Sequence, residues 1–228
     1  VRESLRAGRR KPYKVMLAEG VRQTDVVGQI VSLARRAGAP VQRVTRLDLD
    51  RLGEVHHQGV ALETSEYPYV PLDEILEVAR SRGEPPLILL LDLLQDPQNV
   101  GSLLRTAESV GVHGVVLQRR RAVGITPAVV NASAGAVEHM LVAQETNLVN
   151  VIERLKASDV WVVGLENRPD AQVYCEADLR GPLALVVGSE GEGLRRLVRE
   201  RCDFLLRLPM LGQVASLNAA VAGSVVLY

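Results

Sequence analysis

Three stretches of the chain hold residues whose types and spacing could do chemistry. In residues 92–111, Asn99 stands where a helix is expected to begin, and Val100, Leu103, Leu104, Ala107 and Val110 follow at helical spacing as its buried face. Ser102, Arg105, Thr106 and Ser109 then share the opposite face, and Gly101 leaves room for a close neighbour. Arg105 is open to two readings, a solvated surface charge or a clamp on a phosphate or ribose. Its place beside the ends of strands makes the clamp the sharper one. In residues 204–228 a short strand (FLLRL) and a loop lead to a helix expected over 215–228, opened by Ser216 as N-cap, with the amide of Asn218 in its first turn. Ala219, Ala220, Ala222, Gly223 and Ser224 leave that helix without bulk, so it is either buried in its own domain or shared with a second copy of the chain. An ordinary core helix accounts for the small residues but not for Gln213, Ser216 and Asn218 at its mouth.

The remaining stretch, residues 183–194 (LALVVGSEGEGL), reads as strand, glycine-rich loop and helix. Gly188, Gly191 and Gly193 do not have the G-x-G-x-x-G spacing of a dinucleotide site, and Glu190 and Glu192 would repel a pyrophosphate. No acid ends the next strand, where a ribose-binding carboxylate belongs in that motif. The loop suits a neutral or cationic ligand, and the sulfonium of S-adenosylmethionine is cationic.

The elements that must position these stretches alternate. Over residues 1–66 the pattern gives a helix at 3–10, strands at 14–19, 41–45 and 60–66, and an amphipathic helix at 25–37, a small α/β unit. His57, in the turn 56–59 (HHQG), reads as a histidine fixing the start of a strand rather than as a catalytic group. Residues 67–71 (YPYVP) look like a linker, because two prolines force extended chain, and a helix at 72–80 follows. From Leu87 the order is strand, loop, helix, repeated, with strands at 87–91, 115–118, 160–165, 183–187 and 204–208. Continuous apolar runs such as LILLL are those of parallel strands buried on both faces, with ligands at their carboxyl ends. The expected domains are 1–66, a linker over 67–86, and 87–228.

Composition narrows the classes. At 228 residues and 47% hydrophobic content the chain can build real cores and is not disordered. Net charge is zero, yet residues 1–66 hold 12 Lys plus Arg against 8 Asp plus Glu, and the remainder 15 against 19. Arg2, Arg6, Arg9, Arg10 and Lys11 crowd the first eleven residues, which points either to phosphate backbones or to a solvated helix face. Arg119, Arg120 and Arg121 extend the same pair of readings to the loop after a strand. Two cysteines, Cys175 and Cys202, without metal-ligand spacing argue for a reducing, cytoplasmic setting and no structural metal. No membrane span or signal peptide is expected. Val1 in place of Met, and a closing helix without a cap, suggest further residues at both ends.

The three stretches together resemble the SpoU (TrmH-like) family of SPOUT methyltransferases, which methylate ribose 2′-hydroxyls in RNA. N-x5-R-T-A (Asn99, Arg105, Thr106, Ala107), G-S-E-G-E-G (188–193), and L-P-M (208–210) followed by S-L-N (216–218) match in order and spacing. Residues 1–66 are similar to the small ribosomal-protein-like RNA-binding domain of the RlmB-type branch, whose members modify a guanosine of large-subunit ribosomal RNA. The resemblance implies a parallel sheet with a C-terminal deep trefoil knot, a bent S-adenosylmethionine near Gly188, Leu208, Met210 and Leu217, and a homodimer with its active site at the subunit interface. It also implies functional roles for Asn99, Arg105, Glu190, Ser216 and Asn218. A guanidinium stays protonated, so Arg105 would grip a phosphate and stabilise a nucleophilic ribose oxygen rather than act as a base. Rival expectations are a transfer RNA or antibiotic-resistance ribosomal substrate, a non-catalytic RNA-binding protein, and a nucleotide-dependent oxidoreductase. The loop spacing disfavours the last.

Overall fold

The computed structural model describes residues 1–53, 57–214 and 216–228. Pro12–Ala18 (β1), Val41–Val44 (β2) and Val60–Thr64 (β3) form a first sheet in the order β2-β1-β3, with β2 parallel and β3 antiparallel to β1. Arg2–Ala7 (α1) and Asp25–Arg36 (α2) cover one face, burying Val27, Ile30 and Ala34 against Val15 and Leu17. The start of α2 is fixed by Thr24, whose hydroxyl accepts from the Val27 amide. A helix not expected from sequence, Arg46–Asp50 (α3), closes the other face with Leu49; it is short but carries a reciprocal Thr45/Asp48 capping box. His57 Nδ1 accepts from the Gly59 amide at 2.9 Å, so the ring proton sits on Nε2 and is donated to Asp50 at 2.8 Å. That histidine ties the end of α3 to the start of β3. His56 lies outside the described residues.

The second sheet explains the apolar runs. Along Leu87–Asp92, Leu89 and Leu91 join one core and Ile88 and Leu90 the other, all at 1% exposure or less, as a strand covered on both faces requires. After Leu72–Arg82 (α4) come Leu87–Asp92 (β4), Pro97–Ser109 (α5), Gly114–Gln118 (β5), Pro127–Ala132 (α6), Val142–Glu145 (β6), Leu148–Lys156 (α7) and Trp161–Leu165 (β7). Gln172–Val173 (β8), Leu183–Gly188 (β9), Arg196–Arg201 (α8), Phe204–Arg207 (β10) and Ala219–Leu227 (α9) complete the chain. All seven strands are parallel, in the order β6-β5-β4-β9-β7-β10-β8. α5, α6 and α9 pack on one face and α4, α7 and α8 on the other. The strands β6 and β8 had no counterpart in the sequence reading.

Two starts differ from expectation. α5 begins at Pro97, two residues before Asn99, because Asp96 caps it by accepting from the Gln98 amide and Pro97 occupies the first helical position. α9 begins at Ala219 rather than near Ser216, since the Asn218 side chain accepts from the Ala220 and Val221 amides at 2.9 and 3.2 Å. An asparagine held inside the first turn could not make those bonds. Residue 215 lies outside the described residues.

The two sheets are joined by buried polar contacts. Glu138, 1% exposed in the 3-10 turn Ala136–His139, accepts from Ser4 at 2.7 Å and from Arg10 at 3.1 Å. Arg10 also donates to the Ser65 carbonyl at 2.9 and 2.7 Å. Arg9 reaches the Met140 carbonyl and the hydroxyl of Tyr67, a residue only 7% exposed whose pKa burial pushes up to about 12. The N-terminal basic cluster is thus divided: Arg9 and Arg10 hold the two sheets together, while Arg2 and Arg6 pair with Glu3 at the surface.

Candidate active site

Gly188 and Asp92 are partners in the sheet, and the next strand continues the row with Gln118, which pairs with Glu145. The carboxyl ends of β4, β5 and β9 therefore share one edge, beside the point where the strand order turns back. Asp92 is fully buried and accepts from the backbone amide and Nε of Arg195 at 2.9 and 2.8 Å, while Arg195 Nη2 donates to Gln118 at 3.0 Å. This pair fixes the far end of the loop 188–194. The loop is folded back on itself, the Ser189 and Gly193 backbones exchanging two hydrogen bonds of 3.2 and 3.0 Å. A Cβ on Gly188 would lie 2.3 Å from the Gly193 carbonyl carbon, so only glycine permits this fold.

Folding the loop back opens a cleft of about 500 Å³ between β7, β9 and the start of α9. Gly188, Leu208, Met210, Ser216, Leu217, Asn218 and Glu190 line it, with Glu166, Asn167 and Glu192. Among the described residues its wall holds three carboxylates and no basic side chain, the arrangement for a cationic ligand of moderate size. Glu166 is partly neutralised by Arg199, 3.2 Å away. Glycines, apolar side chains and the polar Ser189, Ser216 and Asn218 supply most of the rest of the wall, which fits the sulfonium, adenine and ribose of S-adenosylmethionine.

Across the mouth runs a chain of amides and carboxylates. The Asn218 amide donates to Asn99 Oδ1 at 2.9 Å and lies 3.4 Å from Glu190 Oε1, while its own oxygen caps α9. A hydrogen bond from the Asn99 side chain, with the Gln98 amide, holds the Asp96 carboxyl below the usual carboxylate range. Asp96, Asn99, Asn218 and Glu190 therefore fix one another's orientation, and the small-residue helix is in place to allow it. Gly223 lies against Leu103 and Val187, where a Cβ would come within 2.7 and 3.0 Å, and Thr106 bonds Ser224 at 2.9 Å.

Arg105 is not in this cleft within one chain. It lies with Ser102, Thr106 and Ser109 on the outer face of α5, in an adjoining groove whose other wall is Val221, Val225 and Tyr228. Asn99 and Asn218 line that groove too, so the groove and the cleft meet at the amide pair. The structure brings Asn99, Glu190, Ser216, Asn218, Gly188, Leu208, Met210 and Leu217 together and leaves Arg105 beside them. Asp92, Asp96, Glu166 and Arg195 were missed from sequence. The Asp-Pro pair ahead of a helical run could have signalled Asp96, whereas nothing local marks the other three. Among the described residues no group of three or more His, Cys, Asp or Glu is arranged to hold a metal ion. Among them, too, no helix is long and apolar enough to cross a membrane.

Comparison with known proteins bears on this geometry directly. Residues 86–228 match the SpoU rRNA Methylase family, and residues 1–70 match the RNA 2′-O ribose methyltransferase substrate-binding family. The chain is 45% identical over 219 residues to YacO of Bacillus subtilis, which is placed in the TrmH family of tRNA/rRNA methyltransferases; the match covers 96% of this chain and 87% of that one. Among solved structures, the SpoU methyltransferase AviRb of Streptomyces viridochromogenes with AdoMet superposes at a TM-score of 0.81 and 23% identity, over 99% of this chain and 84% of that one, a likeness of fold. An AdoMet-bound rRNA methyltransferase of Sinorhizobium meliloti superposes at 0.79 and 25% identity, over 99% and 81%. With an acidic cleft sized for a sulfonium cofactor at the carboxyl edge of its parallel sheet, the chain belongs to the SpoU (TrmH-like) family and is an S-adenosylmethionine-dependent RNA methyltransferase.

Proposed function

We propose that this enzyme methylates a ribose 2′-hydroxyl of RNA, at a guanosine of large-subunit ribosomal RNA, and that it acts as a cytoplasmic homodimer. The observation that carries the reading is the Asp96, Asn99, Asn218, Glu190 chain at the mouth of the acidic cleft. S-adenosylmethionine, when bound, supplies a methyl group on a positively charged sulfur. Gly188, Leu208, Met210 and Leu217 would hold it. Asn99, Asn218, Glu190 and Ser216 orient the ribose, since a displacement of this kind needs its oxygen held about 3 Å from the methyl carbon.

Arg105 enters from a second copy. Its groove is flanked by an apolar face on α9, where Val221 is 50% and Tyr228 90% exposed. A two-fold contact across α5 and α9 covers that face and carries each Arg105 toward the other protomer's cleft. There the guanidinium grips the neighbouring phosphate and stabilises charge on the attacking oxygen, with that phosphate or a water taking the proton. Residues 1–66 recognise the RNA, 67–86 join the parts, and 87–228 carry out the transfer. The knot expected of the family belongs to the same reading, and the return of α9 over β9 to α5, after β10 has crossed beyond β7, supports it.

Mass-spectrometric mapping of ribose methylation, in ribosomal and transfer RNA from cells with and without the protein, tests the substrate. Loss of one 2′-O-methylguanosine from large-subunit RNA is expected; loss confined to transfer RNA would replace the substrate, and no loss would leave an RNA-binding protein. Arg105→Ala should lower turnover about a hundredfold or more with little change in cofactor affinity. Equal loss of both by kinetics and calorimetry would remove Arg105 from its role.

A further inference from the structure

The loop after β5 carries three consecutive arginines at the reactive edge of the sheet. Gln118 ends β5 in the same row as Asp92 and Gly188, two strands from the cleft, or roughly 10 Å at the usual strand spacing. Arg119, Arg120 and Arg121 leave the sheet from that row, and all three are exposed. The loop is held in place: Gln95 donates to the Arg121 carbonyl at 3.2 Å, the Val123 amide donates to Leu94 at 3.0 Å, and the Arg119 amide donates to Glu145 at 2.9 Å. It is therefore docked on residues 94–95, which lead straight into the Asp96 cap and Asn99.

Within the part of the chain that forms the larger sheet, these three guanidiniums stand apart in having no side-chain partner among the described residues. From Leu87 onward, every other basic side chain except Arg105 has a carboxylate or carbonyl partner: Arg154, Lys156, Arg168, Arg180, Arg195, Arg196, Arg199, Arg201 and Arg207 are all engaged. Among the described residues Arg119, Arg120 and Arg121 have no such side-chain partner. At the N-terminus, where clustered charge first pointed to phosphates, Arg9 and Arg10 are already committed within the molecule. Three like charges crowded on one anchored turn repel one another, and an outside polyanion relieves that repulsion.

We propose that Arg119, Arg120 and Arg121 form a backbone-phosphate contact for the substrate RNA, outside the methyl-transfer cleft, engaging nucleotides that flank the one modified. The inference rests on the RNA methyltransferase reading and adds to it a place where the strand leaves the cleft. Phosphate contacts of this kind set position and register without reading sequence.

The test uses the full chain, the triple variant R119Q/R120Q/R121Q, the charge-preserving R119K/R120K/R121K, and an unmodified large-subunit ribosomal RNA transcript as probe. Binding is followed by fluorescence anisotropy across a salt series. The glutamine variant should bind at least tenfold more weakly near physiological salt, and its slope of log K against log salt should fall in magnitude by about 2, at about 0.7 per single-strand contact. KM for RNA should rise with it, cofactor affinity and turnover at saturating RNA staying within about twofold, and the lysine variant should lie close to the parent. An unchanged salt slope and affinity would overturn the proposal. So would a loss of cofactor affinity as large as the loss of RNA affinity, which would make the arginines supports of the 94–95 loop. The binding arm is read without methyl transfer, so a parent that binds RNA yet methylates no ribose would defeat the proposed function and leave this proposal to the salt slope.

Discussion

Asn218 does two things at once, and its two ends can be separated. Its oxygen caps α9, while its amide donates to Asn99 and faces Glu190. Asn218→Asp keeps an oxygen for the cap, and a negative charge at a helix start is favourable. It also sets a carboxylate against Asn99 Oδ1 and Glu190. The variant should keep its stability within about 1 kcal/mol by chemical denaturation while turnover falls about a hundredfold. Activity near that of the parent would show that the amide proton is not needed. The cysteines test burial in the same local way. Both are free; Cys175 is exposed, whereas burial pushes the Cys202 thiol up to about 12 and its Sγ donates to the Val198 carbonyl. Iodoacetamide at pH 8 should label Cys175 and spare Cys202 in peptide maps of the native protein. Because the folded value is raised, the stability this thiol lends is complete below the unfolded thiol value of about 8.5 and is lost as pH climbs toward 12. Comparable labelling of both cysteines would contradict the burial.

Close packing between elements hangs on two glycines. In α5, a Cβ on Gly101 would lie 2.3 Å from the Ala132 Cβ and 2.8 Å from the Ser133 amide nitrogen, so the room noted from sequence is taken by α6 of the same chain. Alanine is the better helix former by about 1 kcal/mol, but overpacking costs about 1–3 kcal/mol, and contact with backbone cannot relax cheaply. Gly101→Ala should therefore lower Tm by roughly 2–10 °C; a rise would show that the two helices can part. Gly188→Ala should lower Tm by a similar amount, because its Cβ would meet the Gly193 and Leu194 backbone at 2.3 to 2.6 Å, and should also weaken cofactor binding by calorimetry about tenfold or more, since the loop must open to admit the methyl. Periodicity found β4, β9 and the buried face of α5 because their burial repeats along the chain. It missed α3, β6 and β8, which are only 5, 4 and 2 residues long, and it placed the start of α9 too early. That start is set by where Asn218 meets Asn99, a contact across 119 positions that no local pattern carries. The same holds for Arg105: its type and helix face were legible, but not that it lines a groove beside the cleft rather than the cleft itself.

The union of the two sheets shows how far a charge can lie from its partner in sequence. Glu138 is 128 positions from Arg10 and 134 from Ser4, so the crowded N-terminal charges read as a surface, although half of that cluster's arginines close an internal joint. The joint matters for how RNA is delivered. The turn Ala136–His139 that carries Glu138 places Val137 in the core shared with α5, the helix that holds Asn99 and Arg105, and α1 rests on its outer side. Arg10 is the member to remove, because it spans the turn before β1, the end of β3 and Glu138. Arg10→Ala leaves a carboxylate at 1% exposure with Ser4 as its remaining side-chain partner, and breaking a buried pair in this way costs about 3–5 kcal/mol. The cleft lies on other elements, so cofactor affinity should hold within about twofold while methylation of a large RNA falls at least tenfold, the small domain no longer presenting its strand at a fixed distance. Calorimetric unfolding should show the loss as one transition in the parent dividing into two in the variant, the domains having lost the contact that makes them melt together. A variant that melts in one step at the parent's temperature and methylates ribosomal RNA at the parent's rate would mean that the apolar packing around Tyr67 holds the halves together without its charges.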